Sequence, residues 1–492
     1  ENPTGMIADT LENEMNIIDL LRNNAEKYPA KIGFIDEENE ITFQKMLKSV
    51  EKFSSSELLK NKNQTIGLIL ENSIQGIIAY LGIINSGKIV HIIPPNITKK
   101  NFINQIKSSK PSVIICSEKN QTNFSNFNHK DVPIYTNEEI ISKSTIQEKI
   151  PDINKIAYLI YTSGTTSEPK GVPISHEMIE FTTKNIVKIL EYSKNDIDLT
   201  PLPLYHSFGL GCLHTSIYVG STFVLLKNAN NLENILNSLK KFNATTLAAV
   251  PATLTKLLRF ENKYLKEKFS NIRLVITNST SIPKDTVNDL KTILENRKLA
   301  TYYGLTEASR STFMIFNENS KLDESVGKPA PGVKIKIEKF DKKLEIGEIF
   351  VQGKNVIKNY WDNSIADKNL EDGWLQTSDI GYFDNDENLF LVGRNDDVIN
   401  IGGEKVIPNE IEGIIKQIPE IEDVVAFGIN NEIFGKTIKV NIIKKKNSNL
   451  DKIKILSYCL KNLEKFKIPS KIEFVEKIPK NEYGKVKRSM LK

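Results

Sequence analysis

The sequence predicts an α/β protein: a large N-terminal domain of α/β layers with an attached β subdomain, followed by a small C-terminal α+β domain. Three observations carry this expectation. From Gln64 to Leu305, short β-branched runs alternate with helical patterns, as layered sheets of largely parallel strands require. After Gly327 the helical patterns give way to turn-separated strands. From Asp397 onward, helix and strand patterns alternate over a stretch long enough to fold as its own domain. At 492 residues the chain exceeds what one small core organises, so at least two domains are expected.

In chain order, Gln64 to Leu70 reads as a strand, Ser73 to Ser86 as a helix, and Lys88 to Ile93 and Pro111 to Cys116 as strands. Ile156 to Tyr161 is an apolar strand candidate, and Ser175 N-caps the amphipathic stretch HEMIEFTTKNIVKIL. Asn271 to Thr277 is a strand, and Pro283 to Glu295 a helix opened by proline and Asp285, both suited to a first turn. Val333 to Glu338, Gly347 to Gln352 and Asn388 to Val392 read as antiparallel strands, the last after the turn Asp384-Asn385-Asp386. The tail then reads as a helix (Pro408 to Gln417), two strands (Asp423 to Ile429 and Thr437 to Lys444), a helix (Asp451 to Lys465) and a strand (Lys471 to Val475).

Composition is that of a globular protein, with 39% hydrophobic and 26% charged residues. The longest apolar runs fall short of the roughly 20 residues a membrane span needs. The stretch ENPTGMIADTLENEMN is acidic and lacks a signal-peptide pattern, so a cytoplasmic location is expected. Cys116, Cys212 and Cys459 are too scattered for a metal site and read as small buried hydrophobes. The net charge of +5 is uneven: residues 397–492 hold 19 Lys+Arg against 13 Asp+Glu, leaving 47 against 48 for the rest. No aromatic-interleaved basic patch accompanies that surplus, so nucleic acid is not the expected partner. A small anionic ligand, or plain solvation of a lysine-rich surface, suits it better.

Between the strand at Ile156 and the helix capped by Ser175 lies YTSGTTSEPKGV, residues 161–172. Hydroxyls, glycines and one lysine in such a place can converge N–H and O–H donors on an anion, the other reading being a plain surface loop. It is not a Walker loop, because Lys170 sits between Pro169 and Gly171 and does not lead straight into a helix.

This loop resembles the signature of the acyl-activating adenylate-forming enzymes, which include AMP-binding acyl- and aryl-CoA synthetases, and further motifs of that superfamily follow in order. Tyr302-Tyr303-Gly304-Leu305-Thr306-Glu307 resembles its aromatic-Gly-x-Thr-Glu motif. Residues 373–381, GWLQTSDIG, resemble its Gly-Trp…Thr-Gly-Asp motif, and Gly393 to Glu412 its hinge motif. PKNEYGKVKR, residues 479–488, resembles its terminal lysine motif.

The resemblance implies a two-step, ATP-dependent carboxylic acid ligase that forms acyl-AMP with release of pyrophosphate and then passes the acyl group to a thiol. CoA is the implied acceptor, with a carrier-protein phosphopantetheine thiol as the alternative; ATP, Mg²⁺ and CoA are the implied cofactors. It also implies division into residues 1–395 and a mobile C-terminal domain, 396–492, about a hinge at Asp396. In this reading Thr162, Ser163, Thr165 and Thr166, with the Gly164 backbone, hold the β- and γ-phosphates, and Lys170 supports their loop. Thr306 faces the α-phosphate and Glu307 is the Mg²⁺ ligand. Tyr303, within Tyr302-Tyr303-Gly304, stacks on adenine. Asn278-Ser279-Thr280-Ser281 stands where the superfamily has a Gly-Gly-Ala-like turn, and is bulkier and more polar.

Asp379 and Arg394 resemble the pair that grips the ribose hydroxyls. Lys485 is the implied catalytic cation at the reacting carboxylate and α-phosphate, and Gly402-Gly403 the loop lining the thiol tunnel. Residues 203–211, PLYHSFGLG, resemble the carboxylate pocket segment with His206, Ser207, Phe208 and Gly209. No aspartate stands there for an amino group, so an unsubstituted acid is expected over an amino acid. His206 is either a packed ring or a substrate contact. Arg310 is either a solvent-facing charge or a reader of a second anionic group. Ser167 departs from the usual glycine of the loop. Retention of Lys485, Glu307 and Asp379 favours an active ligase over a catalytically silent binding protein on the same scaffold.

Overall fold

The computed structural model describes residues 16–60, 63–127, 132–145, 152–162, 169–278, 282–316, 322–340, 345–362, 369–401, 404–431, 435–446, 448–480, 486 and 488–491. The chain forms two compact units: residues 1–323, 329–334 and 352–375, and residues 324–328, 335–351 and 376–492.

The first unit holds two sheets. One orders the strands Thr312–Phe316, Lys298–Tyr303, Leu274–Thr277, Thr246–Ala248, Ile197–Thr200, Thr222–Leu225, Ile32–Ile35 and Glu40–Thr42. Pairing is parallel from Lys298–Tyr303 through Ile32–Ile35 and antiparallel at both ends. The other sheet orders Ile134–Thr136, Ile114–Cys116, Thr65–Ile69, Ile89–Ile93, Ile156–Thr162 and Lys170–Ser175. Thr65–Ile69 and Ile89–Ile93 are buried along their whole length, which explains why they read as unbroken apolar runs and not as alternating ones.

Helices follow the same logic. Ser73 accepts from the Gly76 N–H and opens Ile74–Asn85, all but one of whose residues are buried, so this helix is apolar on every face. Ser175 accepts from the Met178 N–H to start His176–Leu190, whose buried residues recur on one face. Leu199, Val224, Leu247, Val275 and Leu299, one from each of five neighbouring strands, are almost fully buried in a shared core. Each contributes roughly 1.5–3 kcal/mol on burial. The three cysteines are free and buried, as expected.

The second unit holds most of Ser325–Pro329, Leu389–Arg394, Trp374–Phe383, Gly347–Gln352 and Lys334–Lys339, neighbours in that order, a β unit where the turn-separated strands were read. Beyond it, Ile421–Asn431 pairs antiparallel with Gly435–Lys444, which pairs parallel with Lys471–Phe474. The helices Pro408–Ile415 and Lys452–Asn462 pack Ile411, Ile415, Ile455 and Cys459 against Val424, Val440 and Ile442. Among the described residues no helix is long and apolar enough to cross a membrane.

One sequence expectation is corrected. The loop after Ile156–Thr162 does not run from a strand into a helix: Lys170–Ser175 is a strand paired antiparallel to Ile156–Thr162, with Thr162 opposite Lys170. The loop therefore closes a hairpin, and the helix capped by Ser175 starts at the far end of its second strand. Gly171 and Pro173 mask the strand signal, and proline is tolerated because this is the sheet's edge.

Candidate active site

The predicted residues of the first unit collect at the carboxyl ends of its parallel strands. Asn278 follows Leu274–Thr277, Gly304 to Glu307 follow Lys298–Tyr303, and His206 lies in the connection after Ile197–Thr200. In open α/β sheets these ends form the crevice in which ligands bind, because the crossover helices leave it uncovered. Gly304 is required there: a Cβ would come within 2.5 Å of the Arg310 backbone nitrogen and 2.7 Å of the Ala308 carbonyl oxygen. That close return of the chain holds Thr306 and Glu307 at the turn.

Glu307 is tied to the hairpin by a short chain of contacts. The Tyr360 hydroxyl donates to Glu307 Oε1 at 3.1 Å, and the Ile357 N–H donates to the Glu307 carbonyl at 3.0 Å. Lys170 Nζ lies 4.8 Å from the centre of the Tyr360 ring, a cation–π distance, and the Trp361 N–H donates to the Gly171 carbonyl at 2.8 Å. The sequence reading missed Tyr360. Its contact spans 53 residues, and its only local mark is the aromatic pair Tyr360-Trp361.

A half-buried carboxylate fits Mg²⁺, which keeps several waters and is completed by substrate phosphates. Among the described residues no cluster of three or more His, Cys, Asp or Glu forms a protein cage for a metal. Glu307, oriented by Tyr360, is thus the donor that suits it, and a dedicated transition-metal site is not what this donor set forms.

Several of the residues expected at an acyl pocket come together as well. His206 precedes the helix Ser207–Val219, with its ring centre 4.6 Å from that of Tyr205. Desolvation lowers the His206 imidazole to about 4, so it is neutral near pH 7. Phe208 meets the Tyr302 ring edge-on at 5.4 Å. Gly209 lets its helix start against the Pro203 carbonyl, which a Cβ would overlap. Ser207, Thr306 and Arg310 line one pocket with Gly211, His214 and Asn355. Arg310 is not solvent-facing: it is 5% exposed and points inward. Tyr302 and Tyr303 are both buried at the end of their strand.

In the second unit, Asp379 and Arg394 are cross-strand partners, with Arg394 Nη1 donating to Asp379 Oδ1 at 3.0 Å. Arg394 Nη2 also donates to Asp396 Oδ2 at 3.2 Å, in the turn Asn395–Asp397. Arg394 stays charged because Asp379 and Asp396 outweigh the opposing effect of burial. Ser378, which stands where the motif has glycine, adopts φ 59°, a left-handed conformation that costs a residue with a Cβ about 1 kcal/mol. Ser163 to Thr166, Ser167, Ser279, Thr280, Ser281, Gly402, Gly403 and Lys485 lie outside the described residues.

Comparison with known proteins places the chain in a family. The chain is 28% identical to a long-chain-fatty-acid–CoA ligase of Haemophilus influenzae over 97% of this chain and 94% of that protein. It is 32% identical to an oxalate–CoA ligase of Arabidopsis thaliana over 68% of this chain and 66% of that one. Its fold matches o-succinylbenzoate CoA synthetase of Bacillus subtilis, solved with an acyl-adenylate intermediate, at TM-score 0.85 and 25% identity over 96% and 97% of the two chains. The AMP-binding enzyme model matches residues 21–361 and the AMP-binding enzyme C-terminal domain model residues 410–485, and the chain belongs to the AMP-binding enzyme family.

Proposed function

We propose that the protein is an AMP-forming acyl-CoA ligase that uses a carboxylic acid, ATP and CoA. A carboxylate oxygen attacks the α-phosphorus, the bond to the bridging oxygen breaks, and pyrophosphate leaves acyl-AMP behind. The CoA thiolate then attacks the acyl carbon, the bond from that carbon to the phosphate oxygen breaks, and AMP leaves. The observation that carries this reading is the contact chain Glu307–Tyr360–Lys170, which links a carboxylate beside parallel-strand ends to the hairpin strand that starts at Lys170. Relatives named as CoA ligases support the choice of thiol.

Thr162 with Ser163 to Thr166 holds the outgoing phosphates, and Lys170 braces their hairpin. Bound at Glu307, Mg²⁺ supplies charge neutralisation to phosphate oxygens. Thr306 offers its hydroxyl to the α-phosphate, and Tyr303, with Asn278 to Thr280, borders the adenine. Asp379 accepts from ribose hydroxyls while Arg394 fixes its orientation. His206, as a neutral ring, contacts the acid's carboxylate without adding charge. Lys485 offsets negative charge at the α-phosphate during the first half-reaction. Asp396 is the hinge about which 396–492 turns for the second, when Gly402-Gly403 lines the thiol's path.

The direct test is pyrophosphate release in a screen of fatty, aryl and dicarboxylic acids, with and without CoA. Release that requires both ATP and an acid, with acyl-CoA formed when CoA is added, is expected; ATP hydrolysis indifferent to acid overturns the reading. Tyr360→Phe removes only the hydroxyl that orients Glu307. It is expected to lower kcat/KM for pyrophosphate release about 10-fold and to raise the Mg²⁺ concentration for half-maximal rate. Unchanged Mg²⁺ dependence contradicts the role given to Tyr360.

A further inference from the structure

The pocket beside Thr306 is walled by a buried cation that has no counter-charge among the described residues. Arg310 Nη1 donates to Ser309 Oγ at 2.6 Å and Nη2 to the Ser207 carbonyl at 3.4 Å, while Nε is buried without a hydrogen-bond partner among the described residues. The guanidinium carbon lies 4.9 Å from the centre of the Tyr302 ring. Among the described residues no carboxylate pairs with it.

Two backbone features exist to put the guanidinium there. Arg310 itself has φ 56°, a left-handed conformation unfavourable for a residue with a Cβ, and such strain persists where the surroundings impose it. On the facing helix, position 211 is glycine, and a Cβ there would overlap Arg310 Nη2. The cation also depresses its neighbour, since burial first and Arg310 second lower His214 to about 3. An ion withdrawn from water with a hydrogen-bonding group unsatisfied is costly unless an anion completes the site.

We propose that the acid substrate is an α,ω-dicarboxylate whose second carboxylate is received by Arg310. This rests on the ligase reading, since it names the substrate class of the same site. Thr306 and Arg310 line the same pocket, so the two carboxylates are separated by a short spacer, and Ile174, Met178 and Ile179 on its wall suit methylene groups. A guanidinium donates to a carboxylate through two parallel N–H groups, and a monocarboxylate of equal length leaves the Nε donor buried and unpaired.

The test uses the full chain with ATP and Mg²⁺, measuring pyrophosphate release for the matched pairs butyrate and succinate, and hexanoate and adipate. The expected kcat/KM favours the dicarboxylate by at least about 100-fold in one pair. Arg310→Met is expected to reduce that ratio below about 10-fold, and Gly211→Ala to reduce it in the same direction by displacing the guanidinium. If either variant melts without a cooperative transition, the wild-type ratio and the other variant decide. Wild-type preference for the monocarboxylates, or a ratio unchanged in both folded variants, overturns the proposal. Turnover of monocarboxylates alone overturns it and leaves the ligase standing, whereas release with none of the acids in the wider screen overturns both.

Discussion

Replacing Lys485 with alanine is expected to slow acyl-AMP formation by about 100- to 1,000-fold while leaving thioester formation from supplied acyl-AMP close to the wild-type rate. The asymmetry follows from charge. In the first half-reaction an anionic carboxylate approaches an anionic phosphate, and a cation placed between them stabilises the transition state more than the separated reactants. In the second, the nucleophile attacks carbon, the phosphate departs with charge it already carried, and a lysine in the approach path is an obstacle. Two single-step assays separate these cases, one following pyrophosphate from acid and ATP, the other following acyl-CoA from acyl-AMP and CoA. Equal loss in both contradicts the role assigned to Lys485.

Glu307→Gln is expected to lower pyrophosphate release about 100-fold at millimolar Mg²⁺, with partial recovery as Mg²⁺ is raised. Glutamine keeps the volume and still accepts from Tyr360, whose hydroxyl lies 3.1 Å from the carboxylate, so the turn from Gly304 to Ala308 is retained. What is lost is the negative charge that draws a hard cation toward the phosphates. A variant with wild-type rate and wild-type Mg²⁺ dependence would remove Glu307 from the metal site. The larger effect expected here than for Tyr360→Phe is itself a check, because a positioning hydroxyl cannot matter more than the group it positions.

Much of this fold is readable before any coordinates. The helix Ile74–Asn85 announces itself by Ser73 and by its apolar run, and Lys284–Leu294 by Pro283 and Asp285, because caps and periodicity are local properties. Pairing is not local. Nothing near Phe34 indicates that its strand lies parallel to one at Phe223, nor that the edge strand Lys170–Ser175 turns the phosphate loop into a hairpin.

The site divides in the same way. Resemblance to the superfamily's motifs brought Thr306, Glu307, Asp379 and Arg394 to notice, and the folded chain makes Asp379 and Arg394 partners across neighbouring strands of one β unit. Tyr360 was not, since only the folded chain carries its hydroxyl to Glu307. Arg310 was visible as a charge near the motif, but its direction depends on a left-handed backbone and on the missing side chain at Gly211, neither of which a sequence pattern encodes.

The most direct test of the central claim is the fate of oxygen from the acid. With both carboxylate oxygens labelled as ¹⁸O, using the acid that gives the fastest pyrophosphate release, attack at the α-phosphorus followed by CoA attack at carbon leaves one labelled oxygen on AMP. Mass spectrometry of the recovered nucleotide is expected to show AMP carrying a single ¹⁸O, with unlabelled pyrophosphate. Label in inorganic phosphate, or unlabelled AMP alongside acyl-CoA, would contradict an adenylate-forming ligase.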